Sequence, residues 1–321
     1  MAVYLGRNSK IVVGEESTWG TAATLTNARP LSNGSLARQV TIVPRPDLLS
    51  DSGSAMRRGH YQSEESMTGS FEIAATYENI GIFLKHAMGT VATTGSGDPY
   101  SHTYTLAAAV PTGLTMEFIR GTSGNSEKFE GCKLNQMTMS VSAGECMMLS
   151  FDVIGETAGA RASASTPSLG AAENLIHHHH AGQFTFNSVA YDLRSMTITL
   201  NNALSRRQLL GSVLTKEPVR TDFMSVEVSF ELEAADTLYA ALVANTQADA
   251  TITFTHPTVS NRDMAITLQN VYLTAADDSI SDAGIVSVSC TGVCESDGTD
   301  EGFQIVMRNA DSTGIGNSTR S

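Results

Sequence analysis

Little in this chain invites a reading as an enzyme or a membrane protein. Aromatic residues make up 6% of its 321 residues, and Trp19 is the only tryptophan. No apolar run approaches the length of a membrane span, and the opening MAVYLGRNSK lacks the apolar region of a signal peptide. A chain made and kept in a cytoplasm is expected. The four cysteines, Cys132, Cys146, Cys290 and Cys294, form no CxxC and match no zinc spacing. Free thiols, buried or half-buried, are the expectation. Positive charge is scarce: 20 Lys and Arg stand against 33 Asp and Glu, a formal charge of −13. Such a balance repels a phosphate backbone.

Catalytic signatures are missing too. There is no G-x-S-x-G, P-loop, H-E-x-x-H or strand-turn-helix G-x-G-x-x-G. The GIG at 314–316 lies in a Gly/Ser/Asn-rich end with no helix after it and reads as a frayed tail. His60, His86, His102 and His256 are scattered without a partner pattern. Glu295, Asp297, Asp300 and Glu301 depart from the EF-hand spacing and read as a solvated turn before GFQIVMRN. Neither enzymatic activity nor a cofactor is expected, although a triad assembled from distant residues stays open.

What the chain does contain is a phrase said twice. SFEIAA at 70–75 returns as SFELEAA at 229–235, and the neighbourhood returns with it. A strand precedes each copy, LARQVTIV at 36–43 and DLRSMTITL at 192–200. In the second, Met196, Ile198 and Leu200 oppose Ser195, Thr197 and Thr199, the period-2 signature of a half-buried strand. The phrase itself is the next strand. Met224, Val226, Val228, Phe230 and Leu232 share one face, and Ser225, Glu227, Ser229, Glu231 and Glu233 the other; Met67, Phe71 and Ile73 oppose Thr68, Ser70 and Glu72 likewise. A one-residue slip would bury those carboxylates.

A short helix follows in each half, YENIGIFLKHAMG and ADTLYAALVAN, the second with Asp236 as N-cap. Each half closes on a strand pair, 133–155 matched to 270–292 at an offset of 137. TTGSGDPYSHTYTLA, an extra stretch in the first copy, reads as a hairpin or extended loop. The expected fold is therefore mainly β with one short helix per repeat, as tandem duplicated β-sandwich domains. Residues 1–155 form the first, 156–182 a linker rich in Ala, Ser and Gly, and 183–321 the second with a C-terminal strand. His177 to His180 in the linker could chelate a metal, but read as a solvated polar run or an engineered tag, and no metal site is expected.

Polar loops over 44–66 and 201–222 each carry a basic pair, Arg57-Arg58 and Arg206-Arg207. On an acidic protein such pairs are candidates for inter-subunit contacts. Thr138, Ser140, Ser150 and Asp152 share the polar faces with Glu72, Glu227, Glu231 and Glu233.

KIVVGEESTWGTAAT and the strand-helix module after it resemble the tail tube (major tail) proteins of long-tailed bacteriophages. FTFNSVAYDLRSMTITLNNAL is similar to their strand-turn-strand ending in an Asn pair, and GFQIVMRNADS to their closing strand. The resemblance implies β-sandwich domains assembled into stacked rings, a hollow tube in a virion tail that is long and non-contractile and is built in the host cytoplasm. Fused two-domain members imply trimeric rings. Tail terminator, tape measure and distal tail proteins are the implied partners, and DNA passes through without specific binding. On that reading Glu72, Glu227, Glu231 and Glu233 are candidates to line the lumen. A two-domain adhesin or carbohydrate-binding module shares the strand pattern, and a hydrolase is a further rival.

Overall fold

The computed structural model describes residues 6, 9–47, 56, 59–120, 125–159, 162–166, 169, 174–233, 242–245, 247–279, 287–298 and 302–316. Among these the chain is mainly β, in large antiparallel sheets. The first half runs β1 (Lys10–Glu15), β2 (Asn27–Pro30), β3 (Asn33–Pro44), β4 (His60–Ala74), α1 (Gly81–Met88), β5 (Gly89–Thr94), β6 (Tyr100–Leu106), β7 (Leu114–Ile119), β8 (Asn125–Ser126), β9 (Lys128–Ser142) and β10 (Met148–Gly155). Short strands β11 (Thr157–Ala158) and β12 (Ala162–Ser163) follow. The second half runs β13 (Phe184–Phe186), β14 (Val189–Tyr191), β15 (Leu193–Asn201), β16 (Leu204–Arg207), β17 (Lys216–Arg220), β18 (Ser225–Glu233), β19 (Ala248–Thr255), β20 (Asp263–Ser279), β21 (Ser287–Cys294) and β22 (Phe303–Asn309).

The alternation that marks the strands is the alternation that buries them. Phe71, Ile73, Leu149, Phe151, Met137, Met139, Met196, Ile198, Val228 and Phe230 are all at most 2% exposed. The inward face of α1 adds Phe83, Leu84, Ala87 and Met88. Gly89, at φ 117°, ends the helix, and its N–H donates to Lys85 O. The helix expected over 235–245 falls largely outside the described residues, and so does Asp236.

Both halves are two-layered. In the first, Phe118 of β7 meets Phe71 of β4 edge-on at 6.3 Å; in the second, Phe184 of β13 meets Phe230 of β18 at 5.3 Å. Strands β9 and β20 pass between layers. β9 pairs with β7 over Lys128–Cys132 and with β10 from Lys133 onward. β20 pairs with β19 up to Val271 and with β21 beyond it.

Matching ladders carry matching irregularities. The β10–β9 pairing skips Asn135, and the β21–β20 pairing skips Thr274 at the corresponding place. The β7–β9 register shifts between Leu114 and Met116, and the β19–β20 register between Ala248 and Ala250. A bulge bends its strand and raises the local twist, so the repeated bulges place the crossover of β9 and β20 alike.

Pairing also corrects the alignment of the closing strands. Phe71 lies opposite Phe151, and Phe230 opposite Cys290, so 151 corresponds to 290 at a step of 139 and not 137. A two-residue slip keeps every side chain on its face. Alternation cannot see such a slip, and the Gly155–Gly292 match favoured the wrong one.

Three other expectations change. Residues 60–66 are strand, the outer part of β4 against β3. Within 201–222, β16 and β17 pair as a hairpin. The stretch 175–181 is pinned to both halves, through Thr76–Leu175, Cys146–His177 and Ala181–Phe254 bridges. His180 is buried rather than solvated, 3.0 Å from the Tyr77 hydroxyl through Nδ1, and burial with its neighbouring imidazoles pushes its pKa down to about 4. The extra stretch of the first half is the β5–β6 hairpin.

Two further contacts tie the halves together. Strand β22 lies between β20 and β6. Arg262, buried at the β19–β20 turn, reaches Glu78 at 2.5 Å and Asp98 at 2.7 and 3.0 Å.

Candidate functional site: a polar face on one continuous sheet

The sheet at the junction of the halves runs β3-β4-β10-β9-β15-β18-β21-β20, neighbour to neighbour. Its central joint is β9 against β15, where Met139 faces Ile198 and Thr138 faces Thr199. One layer of eight strands therefore spans both halves.

Its inner face is the core. Its outer face is mostly polar, with Met148, Ile154 and Val293 the larger apolar side chains on it. Glu72 lies opposite Ser150, Asp152 opposite Ser70 and Gln136, Ser140 opposite Thr197. Glu227 lies between Thr199 and Val293, and Glu231 between Ser195 and Ser289. The structure thus brings Glu72, Glu227, Glu231 and Glu233 onto one surface, with Thr138, Ser140, Ser150 and Asp152 among them. The nearest cation is Arg194, at a register shift in β15, whose Nη2 lies 3.7 Å from Glu233 Oε1. Glu227 and Glu231 stand four residues apart, roughly 13 Å along a strand. That exceeds the screening length of about 8 Å at physiological salt, so this pair repels weakly, whereas Glu231 and Glu233, two residues apart at roughly 7 Å, lie within it. A polyanion held close would feel them all.

The side chains of this surface are mostly short hydroxyls and carboxylates, with Gln136, Arg194 and Val293 among them. Among the described residues no group of three or more His, Cys, Asp or Glu converges as a metal site would require. Cys132 and Cys290 are buried free thiols, and burial raises the Cys132 pKa, which makes it a poor nucleophile. Glu295 and Asp297 are exposed; Asp300 and Glu301 lie outside the described residues.

Of the basic pairs, Arg57 and Arg58 lie outside the described residues. Arg206 and Arg207 sit on the β16–β17 arm, which folds back across the first half of its own chain. Arg206 Nη1 donates to Ser66 Oγ at 2.5 Å, and Arg207 Nε to Glu217 O at 3.1 Å. Lys133 holds Glu217 at 2.7 Å, and the Glu65 N–H donates to Val213 O at 2.7 Å. Burial pushes the Glu65 carboxyl up, but hydrogen bonds from Arg38, Thr157 and Gln62 outweigh it and leave the pKa lowered.

Reading the residues as a string missed the root of this arm. Asn202, 2% exposed, donates through Nδ2 to Ala87 O at 2.9 Å and Leu134 O at 3.1 Å, while Asn135 Oδ1 accepts the Leu204 N–H at 2.7 Å. The Asn pair 201–202 was the visible signal: Ala203, at φ 50°, turns the chain there, and the Asn201 carboxamide oxygen accepts its N–H at 2.8 Å.

A family model described as phage tail tube protein matches residues 6–294 of the chain. No curated protein matches it.

Proposed function

As a member of the phage tail tube protein family, the chain is a structural component of a virion tail, and we propose that it acts there as two fused tube domains, three copies closing one ring. The domains are residues 1–155 and 183–321, joined through 156–182, with β22 returning to the first. The β9–β15 joint carries this reading. In one chain, β9 of the first half accepts β15 of the second along its free edge. The corresponding edges, β20 beyond Val271 and the outer side of β3, carry no ladder among the described residues.

Repeating the joint between chains sets Ala276 of one copy opposite Arg38 of the next, and Ala275 opposite Gln39. A head-to-tail contact of this kind closes when its rotation allows. Exposed sheet edges are what β-augmentation uses. Three chains then give six similar positions around the axis.

Stacked rings form a tube whose bore is the polar face, and DNA passes along it. Glu72, Glu227, Glu231 and Glu233 repel the phosphates, so the polymer stays hydrated and no base is read. The tail is long and non-contractile, assembled in the host cytoplasm with tape measure, terminator and distal tail proteins.

Negative-stain microscopy with native mass spectrometry of the purified protein tests the ring, which should hold three chains; six chains per ring or an inert monomer would refute it. Changing Glu227, Glu231 and Glu233 together to Lys tests the bore. Tubes should form while DNA ejection slows, and unchanged ejection removes these residues from the lumen.

A further inference from the structure

The β16–β17 arm has a seat within its own chain, while the matching arm of the first half, the outer ends of β3 and β4, has none among the described residues. Ladder positions relate the two. Leu36 faces Gly69 as Ile198 faces Val228, so Val40, Ile42 and Pro44 correspond to Asn202, Leu204 and Arg206. Leu204 is buried at 7% exposure; Ile42 is 57% exposed, Val40 42% and Tyr61 50%.

The seats correspond as well. Asn202, Leu204 and Arg206 rest on Leu134, Asn135 and Ser66, beside Glu65 and its partner Thr157. The same places in the second half are Leu273, Thr274, Ser225, Met224 and Ser296. There the surface opens into a cleft of about 650 Å³ lined by Leu106, Ala107, Ala108, Phe223, Met224 and Ser296. Phe223 is 92% exposed.

Arm and seat differ in a matched way. The occupied arm buries Leu204 among polar anchors, Asn202 and Arg206 on one side and Glu65, Ser66 and Asn135 on the other. The open arm leaves Val40, Ile42 and Pro44 wet on one face, across from Glu65, Gln62 and His60, and the open seat leaves Phe223 and Met224 in a cleft that Arg220, Thr221 and Asp222 also line. Wet apolar groups on a sheet edge and beside a cleft are what a second copy would cover.

We propose that the β3–β4 arm of one copy lies across the second half of the next, with Val40, Ile42 and Pro44 against Leu273, Thr274 and Ser225, so that Val40 and Ile42 close over the cleft beside Phe223 and Met224. This rests on the ring reading and adds a second contact to each joint, beside the β20–β3 edge. The contact is geometrically separate from that edge, because the arm extends past the last ladder pair.

The test is cross-linking in assembled protein with a short bis-maleimide, using Ile42→Cys with Thr274→Cys and each single substitution as control for Cys146 and Cys294. The double variant should give covalent dimers and trimers, and the single variants should not. Rings by microscopy without that cross-link overturn the arm seat and spare the ring; absence of rings in the unsubstituted protein overturns both. Ile42→Asp is the second arm. It should raise the concentration needed for half-assembly at least about tenfold, one tenfold step being about 1.4 kcal/mol, with the melting temperature of the unassembled chain unchanged. A fall in that melting temperature would mean that Ile42 supports its own fold instead.

Discussion

Strands β3 and β15 hold the same place in their halves and live in different surroundings. β15 has a neighbour on each edge, and its residues alternate between buried and half-buried. β3 has one neighbour, and Leu36 is its only fully buried residue. The same contrast holds for the arms that follow them. The difference teaches that burial here follows the neighbour: β15 is covered by β9 and β18, while the outer side of β3 carries no ladder among the described residues.

Three measurements probe that contrast, beginning with the largest effect. Phe71 and Phe230 occupy corresponding core positions. Phe71 contacts Phe83, Phe118 and Phe151, with centroids at 5.5, 6.3 and 5.1 Å, whereas Phe230 contacts Phe184 and Phe186 at 5.3 and 6.3 Å. Alanine at either should cost about 3–5 kcal/mol, with Phe71→Ala at the upper end, read from urea unfolding. Equal small losses would mean that the halves do not share a core plan.

Next come the arms. Leu204→Ala should destabilise the unassembled chain by about 2 kcal/mol, while Ile42→Ala stays within about 0.5 kcal/mol. Losses of similar size would erase the distinction between seated and open arms.

The smallest effect is in acid. The His86 imidazole and the Lys85 ammonium beside Glu15 hold its carboxyl at about 2 against burial, while burial raises that of neighbouring Glu16. A lowered carboxyl stabilises above its unfolded value near 4.5 and loses that contribution as pH falls from there towards 2; the raised Glu16 works the opposite way, weakening the fold as pH climbs above 4.5. For half-exposed Glu15 the term is on the order of 1 kcal/mol after screening. Ser188, at the corresponding end of β13, has no carboxylate. Trp19 reports on the first half alone, since its Nε1 donates to Gly131 O. Its emission should change at higher pH than signals from the second half, and Glu15→Gln should flatten the first half's acid dependence between 4.5 and 2.

Much of this was legible in the order of residues. Alternation over 192–200 and 224–233 placed the strands and their faces, because a sheet with one wet side tolerates no one-residue error. The carboxylate set was visible for the same reason. The two-residue offset was invisible, since it preserves facing. The β16–β17 arm read as a loop because Ser, Arg and Gln on a ribbon that leaves the core carry no apolar period. The seat made by Asn135, Ser66 and Leu134 draws on strands far apart in the chain, and only the fold assembles it.

Strand β22 sets a clock. His102 of β6 reaches its hydrogen-bond partner Asn309 across 207 positions of chain. At roughly 5–20 residues per second on the ribosome, the β5–β6 hairpin waits about 10–40 seconds for the strand that covers its edge. The first half can therefore gather its core early but cannot be finished until β22 has been made.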